Sequence, residues 1–269
     1  MKYDSIIGIL TYKGHFLKGC IESIVNTVTD FEKNAIVIAN NSEDENYIAE
    51  VEAIVRATHT NVSTLNFRRN RGTSAAWNTI ARSYDAQNVA IFNDDILMWG
   101  GWYETMVRYL AYRPIGVMGL MLSNGWKEWD YRNTISPEEA LRQVYFQHLI
   151  WPSGSCLFFR QSVFCEIGGF DEKLWTGFEE VDFSMRAMQL GYFNIQAGVE
   201  GDIYRFGNHY GGGTEYKMKD AASEIRKHNE ASEDYYFKKY GYAFPPNREH
   251  EEQLKAIRDQ KAKDRGFSL

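Results

Sequence analysis

Two patterns alternate along the first hundred residues. Short apolar runs with no polar face are followed by stretches in which apolar side chains recur every three or four positions. Residues 5–10, with Ile6-Ile7-Gly8-Ile9-Leu10, predict a strand buried on both faces. Phe16, Leu17, Cys20, Ile21, Ile24, Val25 and Val28 then share one stripe of a helix. Ala35-Ile36-Val37-Ile38-Ala39 is a second strand, stopped by the turn-forming Asn40-Asn41-Ser42. A helix with Ile48, Val51, Ile54 and Val55 inward is expected over 47–57, and a third strand over 62–67. Thr73 or Ser74 is the expected cap of a helix carrying Trp77, Ile80 and Ala81. Val89-Ala90-Ile91-Phe92 is a fourth strand that runs straight into Asn93-Asp94-Asp95. This order predicts an α/β protein with a mostly parallel central sheet flanked by helices. Such sheets bind ligands beyond the carboxyl ends of their strands. Here those ends are polar: Thr11-Tyr12, Asn40-Asn41, Arg68-Arg69-Asn70 and Asn93-Asp94-Asp95.

The second half is less regular. Residues 100–121 predict a helix and then the strand Ile115-Gly116-Val117-Met118-Gly119. Ser136-Pro137-Glu138-Glu139 has the form of a helix start. Cys156-Leu157-Phe158-Phe159 reads as a strand, 163–167 as a short helix, 168–172 as a turn and 181–190 as a helix ended by Gly191. Residues 219–240 predict a helix, and 248–265 a highly charged helix or frayed tail. No repeat and no linker forces a second independent domain. The division expected is one domain over 1–242, with a first half at 1–98 and a second at 99–242, followed by a charged segment at 243–269.

Composition narrows the classes. Of 269 residues, 15% are aromatic and only 25% charged, which excludes a disordered chain. Cys20, Cys156 and Cys165 are an odd count without C-x-x-C spacing, so a disulfide scaffold is excluded and a reducing compartment fits. No run approaches the roughly 18 apolar residues of a spanning helix, and no export signal is read, so a cytoplasmic protein is expected. Asp and Glu total 36 against 30 Lys and Arg, a formal charge of −6. That balance disfavours a generic grip on nucleic-acid phosphate, although Lys217, Lys219, Arg226, Lys227, Lys238 and Lys239 form a candidate local basic face. The phosphate-loop, dinucleotide, zinc-protease and serine-hydrolase motifs are all absent.

Three features carry chemistry. Adjacent carboxylates in Asn93-Asp94-Asp95 repel unless a cation joins them, and a hard divalent ion is the natural partner. The alternative is a turn whose side chains cap the next helix. In Phe178-Glu179-Glu180-Val181-Asp182-Phe183-Ser184-Met185-Arg186, acids at a helix start suit the dipole, and Asp182 and Arg186 are spaced to pair. Capping accounts for part of this run, and a carboxylate held there is also suited to act as a base towards a hydroxyl. His209, before Tyr210 and Gly211-Gly212-Gly213, is either a surface or core histidine or a metal ligand beside a phosphate-binding loop. Arg68, Arg69 and Arg71 are either a diphosphate clamp or a solvated basic loop. Trp99, Trp102, Trp126, Trp129 and Trp175 are core candidates, and Trp175 stands just before the acids, where an aromatic face on a loop can also stack on a ligand.

Taken in order, these pieces resemble the family 2 glycosyltransferases of the GT-A fold, from about Ser5 to Gly241. Ile9-Leu10-Thr11-Tyr12 is similar to that family's first-strand motif, and Val37 to Ser42 to its second-strand ending, with Asn40 where an Asp usually contacts the base. Asn70-Arg71-Gly72 with Asn78 resembles its N-x-G motif. Asn93-Asp94-Asp95 occupies the D-x-D site, with Asn93 in place of the first acid. Ser153-Gly154-Ser155, Arg160, Gly168 to Glu172 and Glu179-Glu180-Val181-Asp182 with Arg186 are the most specific match. His209, the glycines and Thr214 resemble the late metal-binding stretch.

The resemblance implies a Rossmann-like GT-A sheet with C-terminal helices. It implies an inverting enzyme that moves a sugar from a nucleotide-sugar to a hydroxyl. Asp95 and His209 would hold Mn²⁺ or Mg²⁺, and Glu180, with Glu179 as its rival, would be the catalytic base. Thr11, Tyr12, Asn40, Arg68, Asn70, Gly72 and Asp94 would bind the nucleotide-sugar, and Trp175 and Asp182 the acceptor or sugar. The acceptor is a glycan, a lipid-linked sugar, a protein or a modified DNA base. Two other classes stay open: a nucleotidyltransferase on a related sheet, which would release pyrophosphate, and a non-catalytic sugar-binding relative.

Overall fold

A computed structural model describes residues 3–58, 61–120, 151–197, 207–209 and 222–267. Trp126, Trp129, the helix start at Ser136, the glycines at 211–213, Thr214, Lys217 and Lys219 lie outside the described residues. The strands are β1 (Tyr3–Thr11), β2 (Asn34–Asn40), β3 (Val62–Asn66), β4 (Ala86–Asn93), β5 (Ile96–Met98), β6 (Ile115–Leu120), β7 (Cys156–Arg160), β8 (Phe193–Ala197) and β9 (Gly207–His209). The α-helices are α1 (Leu17–Thr27), α2 (Glu45–Thr58), α3 (Thr73–Ala81), α4 (Trp102–Ala111), α5 (Gln161–Ile167), α6 (Glu179–Gln189), α7 (Ala222–Tyr240) and α8 (Arg248–Asp264).

Seven strands form one sheet in the order β3-β2-β1-β4-β7-β6-β8. β1 pairs in parallel with β2 and β4, and β2 with β3. β7 runs antiparallel between β4 and β6, and β6 pairs in parallel with β8. The chain therefore leaves β1 on one side for β2 and β3 and returns on the other at β4. Strand order reverses there, which opens a crevice beyond the carboxyl ends of β1 and β4.

The continuous apolar runs are explained by burial on both faces. Ile7, Ile9, Ile36, Ile38, Ala90, Phe92 and Phe158 face one layer, which contains Ile21 and Ile24 of α1, Val51 of α2 and Trp102 and Met106 of α4. Ile6, Val37, Val89, Ile91, Leu157 and Phe159 face the other, with Trp77 and Ile80 of α3, Phe164 of α5 and Phe183 and Ala187 of α6. Neighbours in sequence thus enter opposite cores, as the two-residue period of a strand requires. A smaller cluster of Leu174, Val181, Met185, Met188, Tyr236 and Leu254 docks α7 and α8 beside α6.

Some boundaries differ from expectation. α6 begins at Glu179, two residues earlier than the apolar stripe predicts, because its first turn is acidic rather than apolar. The charged segment after Arg248 is a helix capped by Asn247, whose side chain accepts from His250 N at 3.0 Å. The expected caps Thr73 and Ser74 do not cap α3; its N-cap is Gly72, with no side-chain cap bond. The Ser74 hydroxyl is instead buried and donates to Leu174 O at 2.6 Å, tying α3 to the loop before α6. β5, β8 and β9 were not expected.

Candidate active site

Beyond the β1–β4 crevice lies a cavity of about 370 Å³. Four segments build it: the turn after β1 with Tyr12, Lys13, Gly14 and His15; Asn70 and Gly72 before α3; Asn93 at the end of β4 with Asp94 and Asp95 after it; and Trp175, Thr176 and Gly177 with Glu179 and Glu180 at the start of α6. Ile225 and Asn229 of α7 close it from the C-terminal side.

The carboxylates after β4 are held in place by their neighbours. The register sets Leu10 opposite Asn93, so Thr11 ends beside Asp94. The Thr11 hydroxyl donates to Asp94 Oδ2 at 2.5 Å, and the Tyr47 hydroxyl lies against Thr11 Oγ1. Gly14 N donates to the same Tyr47 oxygen at 3.0 Å, which fixes the turn over Asp94. A Cβ on Gly14 would lie 1.9 Å from Asp94 Oδ2, so only glycine fits that contact. Asp95 is buried at 6% exposure. The field of the pair is felt behind the sheet: the Cys20 thiol is pushed up by burial first, then by Asp94 and Asp95.

Across the cavity, Phe178 takes a left-handed backbone at φ 69° as the N-cap of α6, and Gly177 precedes it at φ 81°. This bend delivers Glu179 and Glu180 to the cavity wall. Glu179 is buried and Glu180 half-buried. Desolvation raises the Glu180 carboxyl above its ordinary 4.5, against the lowering effect of the helix-start N–H groups of Glu180 and Val181. A carboxylate with a raised pKa in a cavity is a natural candidate for proton abstraction.

Tyr12, Asn70, Gly72, Asp94, Asp95, Trp175, Glu179 and Glu180 therefore share one cavity. The other sequence candidates stand elsewhere. Thr11 lies behind Asp94 at 1% exposure. Asn40 is fully buried and turned away, accepting from Ser42 N at 3.0 Å; its neighbour Asn41 lines the cavity and donates to Gly72 O at 3.1 Å. Arg68 is exposed and paired with Glu45. Asp182 is fully buried beneath the wall, where the expected pair with Arg186 forms at 2.6 Å. The Trp175 ring is stacked on His228 of α7 at 4.0 Å. The β5–β9 register sets His209 opposite Ile96, the residue after Asp95.

Tyr47, His15, Asn41 and Asn229 are site residues that sequence reasoning missed. Only Asn41 had a usable signal, as the second residue of a polar strand end. Lys13, Arg68 and Phe178 left the further mark of left-handed backbone at non-glycine residues, which is visible only in the fold.

Gly72 joins the two walls. Its φ is +78°, and a Cβ there would lie 2.5 Å from Trp175 O, the acceptor of a 2.7 Å bond from Thr73 N. Gly72→Ala is expected to destabilise the fold by more than about 1 kcal/mol, because alanine is strained at positive φ and displaces that bond. A urea midpoint equal to that of the unmodified chain would contradict this.

Hard oxygen donors at Asp94 and Asp95 suit a divalent cation, and the β5–β9 register brings His209 into the same neighbourhood. Among the described residues no three His, Cys, Asp or Glu side chains cluster in a ligating arrangement.

Comparison with known proteins adds three findings. The family model described as Glycosyl transferase family 2 matches residues 6–168. A stretch of 45 residues is 42% identical to N-acetylglucosaminyl-diphospho-decaprenol L-rhamnosyltransferase of Mycobacterium tuberculosis, covering 17% of this chain and 15% of that protein. Among solved structures, the fold is similar to the mannosyltransferase PcManGT from Pyrobaculum calidifontis in complex with GDP-Man and Mn²⁺. That match has a TM-score of 0.63 and 16% identity, and covers 100% of this chain and 76% of that one. It is also similar to S. aureus TarS 1-349, at TM-score 0.60 and 14% identity over 99% and 74% of the two chains. These neighbours are GT-A glycosyltransferases, and the fold here is GT-A.

Proposed function

From the membership of this chain in glycosyl transferase family 2, we propose that it transfers a sugar from a nucleotide-sugar to an acceptor hydroxyl with inversion, using a divalent metal and Glu180 as general base. The observation that carries this reading is the cavity itself, with Asp94 and Asp95 on one wall and a raised-pKa Glu180 on the other.

In this reading Asp95 and His209 would hold Mn²⁺ or Mg²⁺, and Asp94 beside them would bind the nucleotide-sugar. When bound, the ion supplies positive charge that stabilises a departing diphosphate. Thr11 and Tyr47 keep Asp94 aimed at the crevice. Asn41, Asn70 and Gly72 line the donor side. Glu180 accepts the acceptor hydroxyl proton as the oxygen attacks the anomeric carbon from the face opposite the nucleotide, and the leaving diphosphate takes the bonding pair. Trp175, fixed by His228, and Asn229 form the acceptor side. Glu179 is the rival for the base.

The acceptor is a hydroxyl-bearing molecule: glycan, lipid-linked sugar, protein or modified DNA base. Among the described residues no helix is long and apolar enough to cross a membrane. The nucleotide-sugar and Mn²⁺ of the PcManGT complex support a donor and a metal of these classes.

A panel of nucleotide-sugars tests the reading. One donor is expected to raise the melting temperature and to release its nucleotide, without pyrophosphate, when an acceptor is present. EDTA is expected to abolish that release, and Mn²⁺ or Mg²⁺ to restore it. Undiminished turnover in EDTA would take Asp95 and His209 out of the proposed role.

A further inference from the structure

A second cavity of about 410 Å³ lies on the α3 side of the sheet edge, with Ser63, Arg71, Thr79, Arg82, Ser83 and Glu172 in its lining. Its chemistry is unlike that of the first. Arg71 bends back along α3, two helical turns, until its Nη1 is 3.5 Å from Thr79 Oγ1. Arg82 stands three residues beyond Thr79, which is the same face one turn on. The two cations therefore share a groove rather than being spread over the surface.

Both guanidinium groups are held by aromatic rings rather than by carboxylates. Arg71 Cζ lies 4.9 Å from the Phe67 ring centroid, and Arg82 Cζ 5.2 Å from that of Phe164. A ring below a guanidinium fixes its position and leaves its in-plane N–H donors available. Among the described residues neither arginine has an ion pair. Glu172, the one carboxylate of the groove, instead accepts from Asn78 Nδ2 at 2.9 Å. The hydroxyls of Thr79, Ser83 and Ser63 line the groove and donate to Ala75 O at 2.8 Å, Ile80 O at 2.7 Å and Ile36 O at 3.3 Å, so the guanidinium N–H groups are the donors that the groove offers a ligand. Like charges sharing one groove cost energy unless an anion joins them, and fixed guanidinium forks match a tetrahedral oxyanion.

We infer that this groove is a phosphoryl-binding site, distinct from the donor cavity. The two are linked through consecutive residues, because Asn70 and Gly72 line the donor cavity while Arg71 enters the groove. The shared ligand chemistry is a phosphate group, either free or as an ester on a larger molecule. The inference does not rest on the proposed transfer reaction.

Calorimetric titration of the full chain with inorganic phosphate and with phenyl phosphate, in EDTA, tests it. Saturable binding that weakens with added salt is expected. Arg71→Gln and Arg82→Gln should each weaken it about tenfold or more, as loss of a charge-assisted contact does. Arg82→Lys should fall between, keeping the charge but losing the fork. Glu180→Gln should bind phosphate as the unmodified chain does, since Glu180 lies in the other cavity. Phenyl phosphate binding as well as inorganic phosphate would identify an ester ligand; preference for inorganic phosphate would identify the free ion. Absence of saturable binding, or binding indifferent to both glutamine substitutions in variants with unchanged melting temperature, would overturn the inference.

Discussion

Glu180→Gln is expected to lower kcat for sugar transfer by about 10²–10⁴-fold, the usual worth of general-base assistance, while leaving nucleotide-sugar affinity nearly unchanged. Glutamine keeps the shape of the side chain and loses the ability to take a proton. Glu180 lines the cavity wall opposite Asp94 and Asp95, so the donor side is left intact. Burial raises the Glu180 pKa above 4.5, and the base works only when ionised. Activity of the unmodified enzyme should therefore fall as pH drops through that raised value, with the acid limb above the ordinary glutamate range. The glutamine variant should lack that limb. Stability runs the other way. A carboxyl whose folded pKa is raised favours folding below its unfolded pKa, and that contribution is lost as pH rises through the folded value. At neutral pH the glutamine variant should thus be at least as stable as the original, a trade of stability for function. Glu179→Gln is the control. If it abolishes transfer and Glu180→Gln does not, the base is Glu179.

The parts of this molecule that sequence made legible are those with a period. Ile6 to Leu10, Ala35 to Ala39 and Val89 to Phe92 are strands because every position enters a core, and an unbroken apolar run reports that. β5 and β9 have three residues each, too few for any pattern to emerge. β8 is different: Phe193-Asn194-Ile195-Gln196-Ala197 alternates as a strand should, so its signal is present in the sequence. At the site, residue type was legible and direction was not. Asn40 and Asn41 both follow an apolar run, and the strand period sends one inward and the next to the cavity. The sequence offers Arg68, Arg69 and Arg71 together, as a diphosphate clamp or a solvated basic loop, yet Arg71 runs along α3 to Thr79 while Arg68 turns outward to Glu45. Asp182 sits two residues from Glu180 on a helix, so it points away from the face Glu180 presents.

That buried position makes Asp182 the most consequential stabilising carboxylate of the site. Its Oδ2 accepts from Arg186 Nε at 2.8 Å, and its Oδ1 from Lys239 Nζ at 2.5 Å and the Tyr240 hydroxyl at 2.6 Å. One fully buried carboxylate thus ties the first turns of α6 to the last turn of α7. The tie is matched in the titration of Lys239: despite desolvation, its ammonium is raised above 10.5 by Asp171 and Asp182. Asp182→Ala leaves Arg186 and Lys239 without this acceptor while their side chains are only 20% and 25% exposed. Removing one partner of a buried pair costs about 3–5 kcal/mol. The lower end is expected here, because both cations reach water in part and Lys239 keeps Asp171 at 2.8 Å. Urea unfolding reads this directly. A double-mutant cycle with Lys239→Met separates the pairwise contribution from the cost of an abandoned charge: the second substitution should recover part of the loss. The consequence should reach the cavity as well. Glu179 and Glu180 open the helix that Asp182 anchors, and Asn229 faces them from α7. Loosening the tie separates those two walls, so nucleotide-sugar binding should weaken in Asp182→Ala, in contrast to Glu180→Gln. A variant with the stability and donor affinity of the unmodified chain would show that the walls are held by the apolar cluster around Tyr236 alone.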